Sequence, residues 1–240
     1  MDRDPLGGTT SPTAVSRKSY KDLAADLLRQ RIFSGELRSH ERVDQDHLAD
    51  ELGISKLPVR EALIALETEG LVVSQPHRGS FVAPLSREDV RDHYRIIGFL
   101  AGLAARRAAE RLTEDDLEQL EACLDVLDTE TDPDRQSALN LAFHRTINLA
   151  GGSRRVRSVL RLLTNTNPNR FYEFEGGWRE TAQHEHRQIL HALRVRDGDE
   201  AEATMVAHIV SGGEFGLRKM DESGFWAQTG TDGSGEQRTS

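Results

Sequence analysis

Apolar positions near the start of the chain recur at helical spacing and then switch to short strand-like runs. From Tyr20 to Ser34, Ala24, Leu27, Leu28 and Ile32 fall at i, i+3, i+4 and i+8, and Gly35 supplies a stop. A short helix is predicted over about 44–52, with Asp44 as its cap and Leu48, Ala49 and Leu52 as its stripe. Gly53 permits a tight turn, and a third helix starts at Ser55. In that helix Val59, Ala62, Leu63 and Leu66 sit at i, i+3, i+4 and i+7, which marks a buried face. Two β-type runs follow, Leu71–Val73 and Ser80–Val82, joined by "SQPHRG". The order is helix, helix, turn, helix, two-stranded wing.

After Pro84 the pattern changes. Ser86–Asp89 and Thr113–Asp116 have the spacing of a capping box, with Asp in place of the usual Glu or Gln. From there to about Met220 the chain reads as helix after helix. Gly198 separates the last two, and Asp199 is placed to cap the second of them. The predicted fold class is therefore mainly α: an N-terminal winged helix-turn-helix domain at 17–84, then an all-helical bundle of six or seven helices at 85–220. Residues 1–16 and 221–240 are rich in Gly, Ser and Thr and read as disordered tails.

Composition narrows the class. No apolar run approaches the roughly 18–20 residues that span a bilayer, and the N-terminus lacks the apolar core of a secretory signal. The single cysteine, Cys123, excludes an internal disulfide framework and agrees with a cytoplasmic location. The net charge of −9 counts against nucleic acid unless Lys and Arg gather on one face.

The helix after Ser55 provides such a face. Lys56, Arg60 and Ile64 lie at i, i+4 and i+8 opposite the apolar stripe, with Leu57 and Glu61 beside them. Lys and Arg at a helix start can bond phosphates or the guanine edge in a major groove. A solvated charged face is the competing reading for any single helix. The preceding helix and Gly turn, and the wing with His77, Arg78 and Gly79 at its tip, favour DNA.

The run "LADELGISKLPVREALIALETEGLVVSQPHRGSFVAPL" resembles the DNA-binding domain of the GntR family of bacterial transcription regulators, without a gap from Leu48 to Val82. The resemblance implies that the third helix enters the major groove of a double-stranded operator and that Arg60 and the wing tip touch DNA. The implied contact set is Ser55, Lys56, Leu57, Arg60, His77, Arg78 and Gly79. Lys56 and Leu57 stand where the family more often has Arg and Thr, and His40 stands where a turn glycine is usual. Residues 18–84 hold nine Lys or Arg against eleven Asp or Glu, so modest affinity per monomer and reliance on a dimer are expected.

The helical part carries a second constellation. His144 follows Asn140 by four residues, so both share one helix face; His186 and His208 lie on the two helices flanking Gly198. Antiparallel packing would bring the three imidazoles together, and three His with one oxygen donor suit Zn²⁺ or Ni²⁺. Surface or hydrogen-bonded core histidines are the alternative.

This part resembles the FCD effector domain of the FadR-like branch of the same family, through "NLAFH", "EHRQI" and "HI" at Asn140–His144, Glu185–Ile189 and His208–Ile209. The resemblance implies a metal held by an Asp and three His. Asn140 takes the place of the Asp, so weaker metal binding is expected, or binding together with an anionic effector. The branch also implies a homodimer and a small carboxylate effector. An arginine common in the first helix of that domain is missing from Ile97–Ala101, which leaves Asn165, Asn169 and Arg170 as candidate effector-binding groups.

The leading function is a ligand-responsive repressor binding a palindromic operator, with no enzyme activity and no membrane partner. A His-site metalloenzyme with an accessory DNA-binding domain is the alternative. Against it, no Ser, Cys or second carboxylate converges on the histidines, and Glu185 points about a hundred degrees away from His186 on a helix. A nucleoid architectural protein is disfavoured by the acidic balance.

Overall fold

The computed structural model describes residues 19–164 and 178–226. Among these it forms helices α1 (Tyr20–Phe33), α2 (Gln45–Leu52), α3 (Lys56–Thr68), α4 (Arg87–Arg111), α5 (Glu114–Thr129), α6 (Pro133–Gly151), α7 (Arg154–Thr164), α8 (Arg179–Arg194) and α9 (Gly198–Glu222). Strands β1 (Val72–Gln75) and β2 (Gly79–Val82) form an antiparallel hairpin in which Val72 pairs with Val82 and Gln75 with Gly79. The described chain divides into two compact units, one holding 91–216 and the other 19–90 with 217–226. No helix among the described residues is long and apolar enough to cross a membrane.

In the N-terminal unit α1 packs on α3, and Leu28, Phe33, Leu48, Val59, Leu66 and Val72 share one core. The caps follow the local chemistry. Asp44 accepts from the amides of Asp46 and His47. Gly53 ends α2 in the left-handed region (φ +64°), where a side chain would be strained, and this sets the turn into α3. Ser55 occupies the N-cap position of α3 but makes no capping hydrogen bond. His40 adopts φ +65° at the turn before residues 41–43, which bond to β2 through Val43 N to Ser80 O at 2.9 Å.

The same unit also includes the end of α9 and the residues after it. Phe225 and Trp226 are buried, the Arg87 guanidinium lies 4.7 Å from the Trp226 ring, and Arg87 Nη2 donates to Asp221 at 2.6 Å. The tail expected from residue 221 therefore begins too early. Its Gly/Ser/Thr composition conceals two aromatic side chains that bury themselves. The expected tail at 1–16, and residues beyond 226, lie outside the described residues.

The helical unit is built from α4 to α9. Ala105, Leu120, Leu124, Leu139, Phe143, Ile147, Ile189 and Met205 lie in one continuous core. Thr113 and Asp116 form a reciprocal capping box at α5, and Ser86 with Asp89 forms the same exchange at α4. At α9 the cap is Asp197, whose Oδ1 accepts from Glu200 N at 3.0 Å. The expected cap, Asp199, lies inside the first turn, because the helix starts two residues earlier than the sequence pattern suggests. Gly151 ends α6 so close to α4 that an added Cβ would sit 1.8 Å from the carbonyl oxygen of Ala104. That close backbone approach keeps α6 seated against α4.

Candidate functional site

α6, α8 and α9 each bring one histidine to a common point. The Nε2 of His144 lies 3.4 Å from Nε2 of His186 and 3.3 Å from Nε2 of His208. The three candidate donor atoms all lie within 4.8 Å of one another. His186 and His208 are buried and His144 is partly so. Burial, with the neighbouring His208 as a second cause, pushes the pKa of His144 down to about 3. Burial likewise holds His186 well below the ordinary imidazole range, with His208, His144 and Arg187 adding to it. Neutral rings with ring nitrogens converging on one point are the form that a metal ligand needs.

Glu185 fixes the third ring. Its Oε2 accepts from Nδ1 of His208 at 2.8 Å, which leaves the His208 Nε2 lone pair aimed at the cluster. On its own helix Glu185 does point away from His186, as the sequence predicts. That direction carries it to His208 on the next helix, a role that angle alone does not reveal. The donor set fits a borderline divalent ion such as Zn²⁺ or Ni²⁺: three imidazole nitrogens with an orienting carboxylate behind one of them.

The histidines line a cavity of about 340 Å³, whose wall also includes Asn140, Asn148, Gln183 and Trp178. Asn140, His144 and Asn148 follow one another at i, i+4 and i+8 along α6, so one helix face supplies all three. Sequence reasoning misses Asn148, although it continues the Asn140–His144 spacing by one turn. Its Oδ1 is buried with no hydrogen-bond partner among the described residues. Trp178 stacks on His208 at 6.2 Å and on Phe215 at 5.4 Å between ring centroids, closing one side. Arg179 also borders the cavity, but its guanidinium donates to the carbonyls of Asp128 and Glu130 at the end of α5. Asn165, Asn169 and Arg170 lie outside the described residues.

In the other unit, α3 buries Val59, Ala62, Leu63 and Leu66 and exposes Lys56, Leu57, Arg60 and Ile64. Leu57 and Ile64 are each 65 % exposed, an apolar pair beside Arg60 on an otherwise polar face. Lys56 Nζ lies 2.9 Å from Asp46 Oδ1, so part of its charge is neutralised by α2. At the hairpin tip His77 takes φ +60°, and Arg78 is exposed with its guanidinium 5.7 Å from the Phe81 ring.

Residues 20–82 match the family model "Bacterial regulatory proteins, gntR family", and residues 92–211 match the FCD domain. An uncharacterized HTH-type transcriptional regulator of Mycobacterium tuberculosis is 30 % identical over 67 % of this chain. The match spans 66 % of that relative's length, just under two thirds. The HTH-type transcriptional repressor RspR of Escherichia coli is 28 % identical over 88 % of this chain and 93 % of its own. Among solved structures, E. coli McbR/YncC matches with a TM-score of 0.63 at 21 % identity, over 84 % of this chain and 98 % of its own. A GntR family transcriptional regulator from Pseudomonas syringae matches with a TM-score of 0.51 at 26 % identity, over 85 % and 88 %.

Proposed function

Since this chain belongs to the GntR family of bacterial regulators, in the FadR-like branch that carries an FCD domain, we propose that it is a DNA-binding transcriptional regulator controlled by a small ligand in the α6–α8–α9 cavity. The observation that carries the ligand-responsive part is the convergence of three histidine Nε2 atoms on the wall of that cavity. His144, His186 and His208 would hold a Zn²⁺ or Ni²⁺ ion, with Asn140 as a neutral fourth donor. The bound metal would supply a Lewis-acidic point that fixes an anionic ligand.

Charge decides the ligand class. Three imidazoles and an amide bring no charge of their own to a divalent ion, and the Glu185 carboxylate behind His208 offsets only part of it, which is costly in a buried pocket without a further counter-charge. A small carboxylate would supply it, while Asn148 and Gln183 would meet its polar groups. Metal and effector would then strengthen one another.

DNA would be read by Lys56, Leu57 and Arg60 on α3, assisted by Ser55 at its start and by His77, Arg78 and Gly79 at the wing tip. The protein would act as a homodimer on a palindromic operator. A ligand favouring one arrangement of the helical units would change the spacing of the two reading helices and so the engagement of both half-sites. Repression is the favoured sign, supported by the name of the E. coli relative RspR.

The test uses full-length protein purified without a metal-affinity column and the DNA upstream of its own gene. A mobility shift is measured with Zn²⁺ or Ni²⁺, with a panel of small carboxylates, and with both. The expected result is a shift that the combination alters more than either component alone. A DNA complex indifferent to every combination would remove the ligand-responsive part of this reading.

A further inference from the structure

One stretch of this acidic chain carries arginines without acids, and those on its central helix are used by neither the histidine cavity nor the α3 face. From Arg135 to Tyr172 there are seven arginines and no Asp or Glu, while the rest of the chain carries 24 Lys or Arg against 40 acids. Helix α7 is the centre of this stretch, with Arg154, Arg155, Arg157 and Arg161, all exposed.

Several arginines elsewhere in the helical unit form ion pairs within it. Arg187 bonds Asp125 and Asp128 at 2.7 and 2.6 Å, Arg196 reaches Glu114 at 2.8 Å, and Arg91 meets Glu214 at 3.0 Å. Arg194 pairs with Glu121 and Arg106 with Glu202. Among the described residues the four α7 arginines have no such partner, and Arg145 on α6 is exposed without one as well.

Their placement along the helix is regular. Arg154, Arg157 and Arg161 fall at i, i+3 and i+7 on one side; Leu160 is buried and Val156 and Leu163 pack against the core on the other. The three guanidinium groups therefore form a row about 10 Å long on a helix held by its apolar underside. Like charges at these spacings repel and weaken a helix, and cations in its first turn oppose its dipole. Local stability does not account for the arrangement.

We propose that the α7 arginine row is a second, sequence-independent surface for double-stranded DNA, touching the phosphate backbone separately from α3. Duplex DNA presents one phosphate per strand about every 3.4 Å along its axis, a linear density that a row of three arginines about 10 Å long can match. Guanidinium also pairs phosphate bidentately, which favours Arg over Lys in this role. The need is visible in the DNA-reading unit: residues 18–84 hold more acids than bases, and Arg29, Arg31 and Lys56 there are tied to Glu69, Glu51 and Asp46 at 2.6, 2.6 and 2.9 Å. A protein whose reading unit is net acidic gains general affinity from a phosphate-binding helix elsewhere on the chain.

The experiment measures binding of the full chain to a mixed-sequence duplex of about 40 base pairs, by fluorescence anisotropy across salt concentrations. Every phosphate that the protein ceases to neutralise lowers the slope of log affinity against log salt by about 0.9. The quadruple variant R154Q/R155Q/R157Q/R161Q is expected to lose about three units of slope and at least about tenfold in affinity at low salt, with its circular dichroism and thermal midpoint retained. If it does not fold, Arg157→Gln and Arg161→Gln singly are each expected to lose about one unit. Wild-type slopes in the folded variants overturn the proposal. So does an unchanged slope coupled to lost retention on poly-glutamate, which would assign the row to an acidic protein surface. Arg60→Ala separates this proposal from the α3 reading, because it should abolish operator preference while the α7-dependent slope persists.

Discussion

Glu185 Oε2 lies 2.8 Å from His208 Nδ1, so a carboxylate on α8 sets the orientation and tautomer of an imidazole on α9. Partners of this kind raise ligand basicity, and their loss typically costs about 10- to 100-fold in metal affinity. Glu185→Gln is therefore expected to weaken Zn²⁺ binding by that factor with all three histidines in place. Competition against a chromophoric chelator reads it directly, and unchanged affinity would deny Glu185 this role.

Asn140→Asp adds one negative charge to the same wall of the cavity. Zn²⁺ binding in the absence of any carboxylate should tighten by at least about tenfold, and the enhancement by added carboxylates should shrink. Calorimetric titration with and without a small carboxylate tests both halves; an equal affinity in wild type and variant would place residue 140 outside the coordination sphere.

Arg60 is exposed on α3 and makes no ion pair among the described residues. Arg60→Ala should abolish the preference for operator over unrelated duplex and change unfolding free energy by no more than about 0.5 kcal/mol, the usual range for surface substitutions. Operator preference equal to wild type in this variant would remove α3 as the reading element.

Trp226 is buried against Arg87 in the N-terminal unit, 4.7 Å from its guanidinium. Trp226→Ala should destabilise the protein by about 3–5 kcal/mol, as large-to-small core substitutions do. Urea unfolding measures this, and a loss below about 1 kcal/mol would mean that the residues after α9 only rest on the surface.

His93 on α4 is partly buried, and burial pushes its pKa down to about 4. The unfolded chain takes up this proton near pH 6.5, while the folded one resists until about pH 4. Stability is thus unaffected above pH 6.5 and falls as pH drops through that window. His93→Gln should lose less stability than wild type between about pH 7 and pH 5, by up to about 2 kcal/mol in urea unfolding. Parallel losses would show that His93 does not carry this proton linkage.

The periodic elements are legible in the chain because helix stripes, caps and turn residues act within a few positions. Val59, Ala62, Leu63 and Leu66 predict the buried face of α3, and all four are buried. The spacing of His144, His186 and His208 suggests a cluster, since residues on successive helices can converge when those helices pack antiparallel. Three features escape that local logic. Glu185 points away from its neighbour His186, and its partner is a residue 23 positions along the chain. Asn148 shares a helix face with His144, but that this face lines a cavity follows only from the packing of the helices around it. Phe225 and Trp226 sit in what composition marks as a tail, and they are buried only because the fold provides a surface for them. The sequence by itself determined which stretches become helices and which faces of them are apolar, through short-range sterics and burial. The tertiary structure alone decided which polar groups meet across helices, because that depends on the packing of elements far apart in the chain.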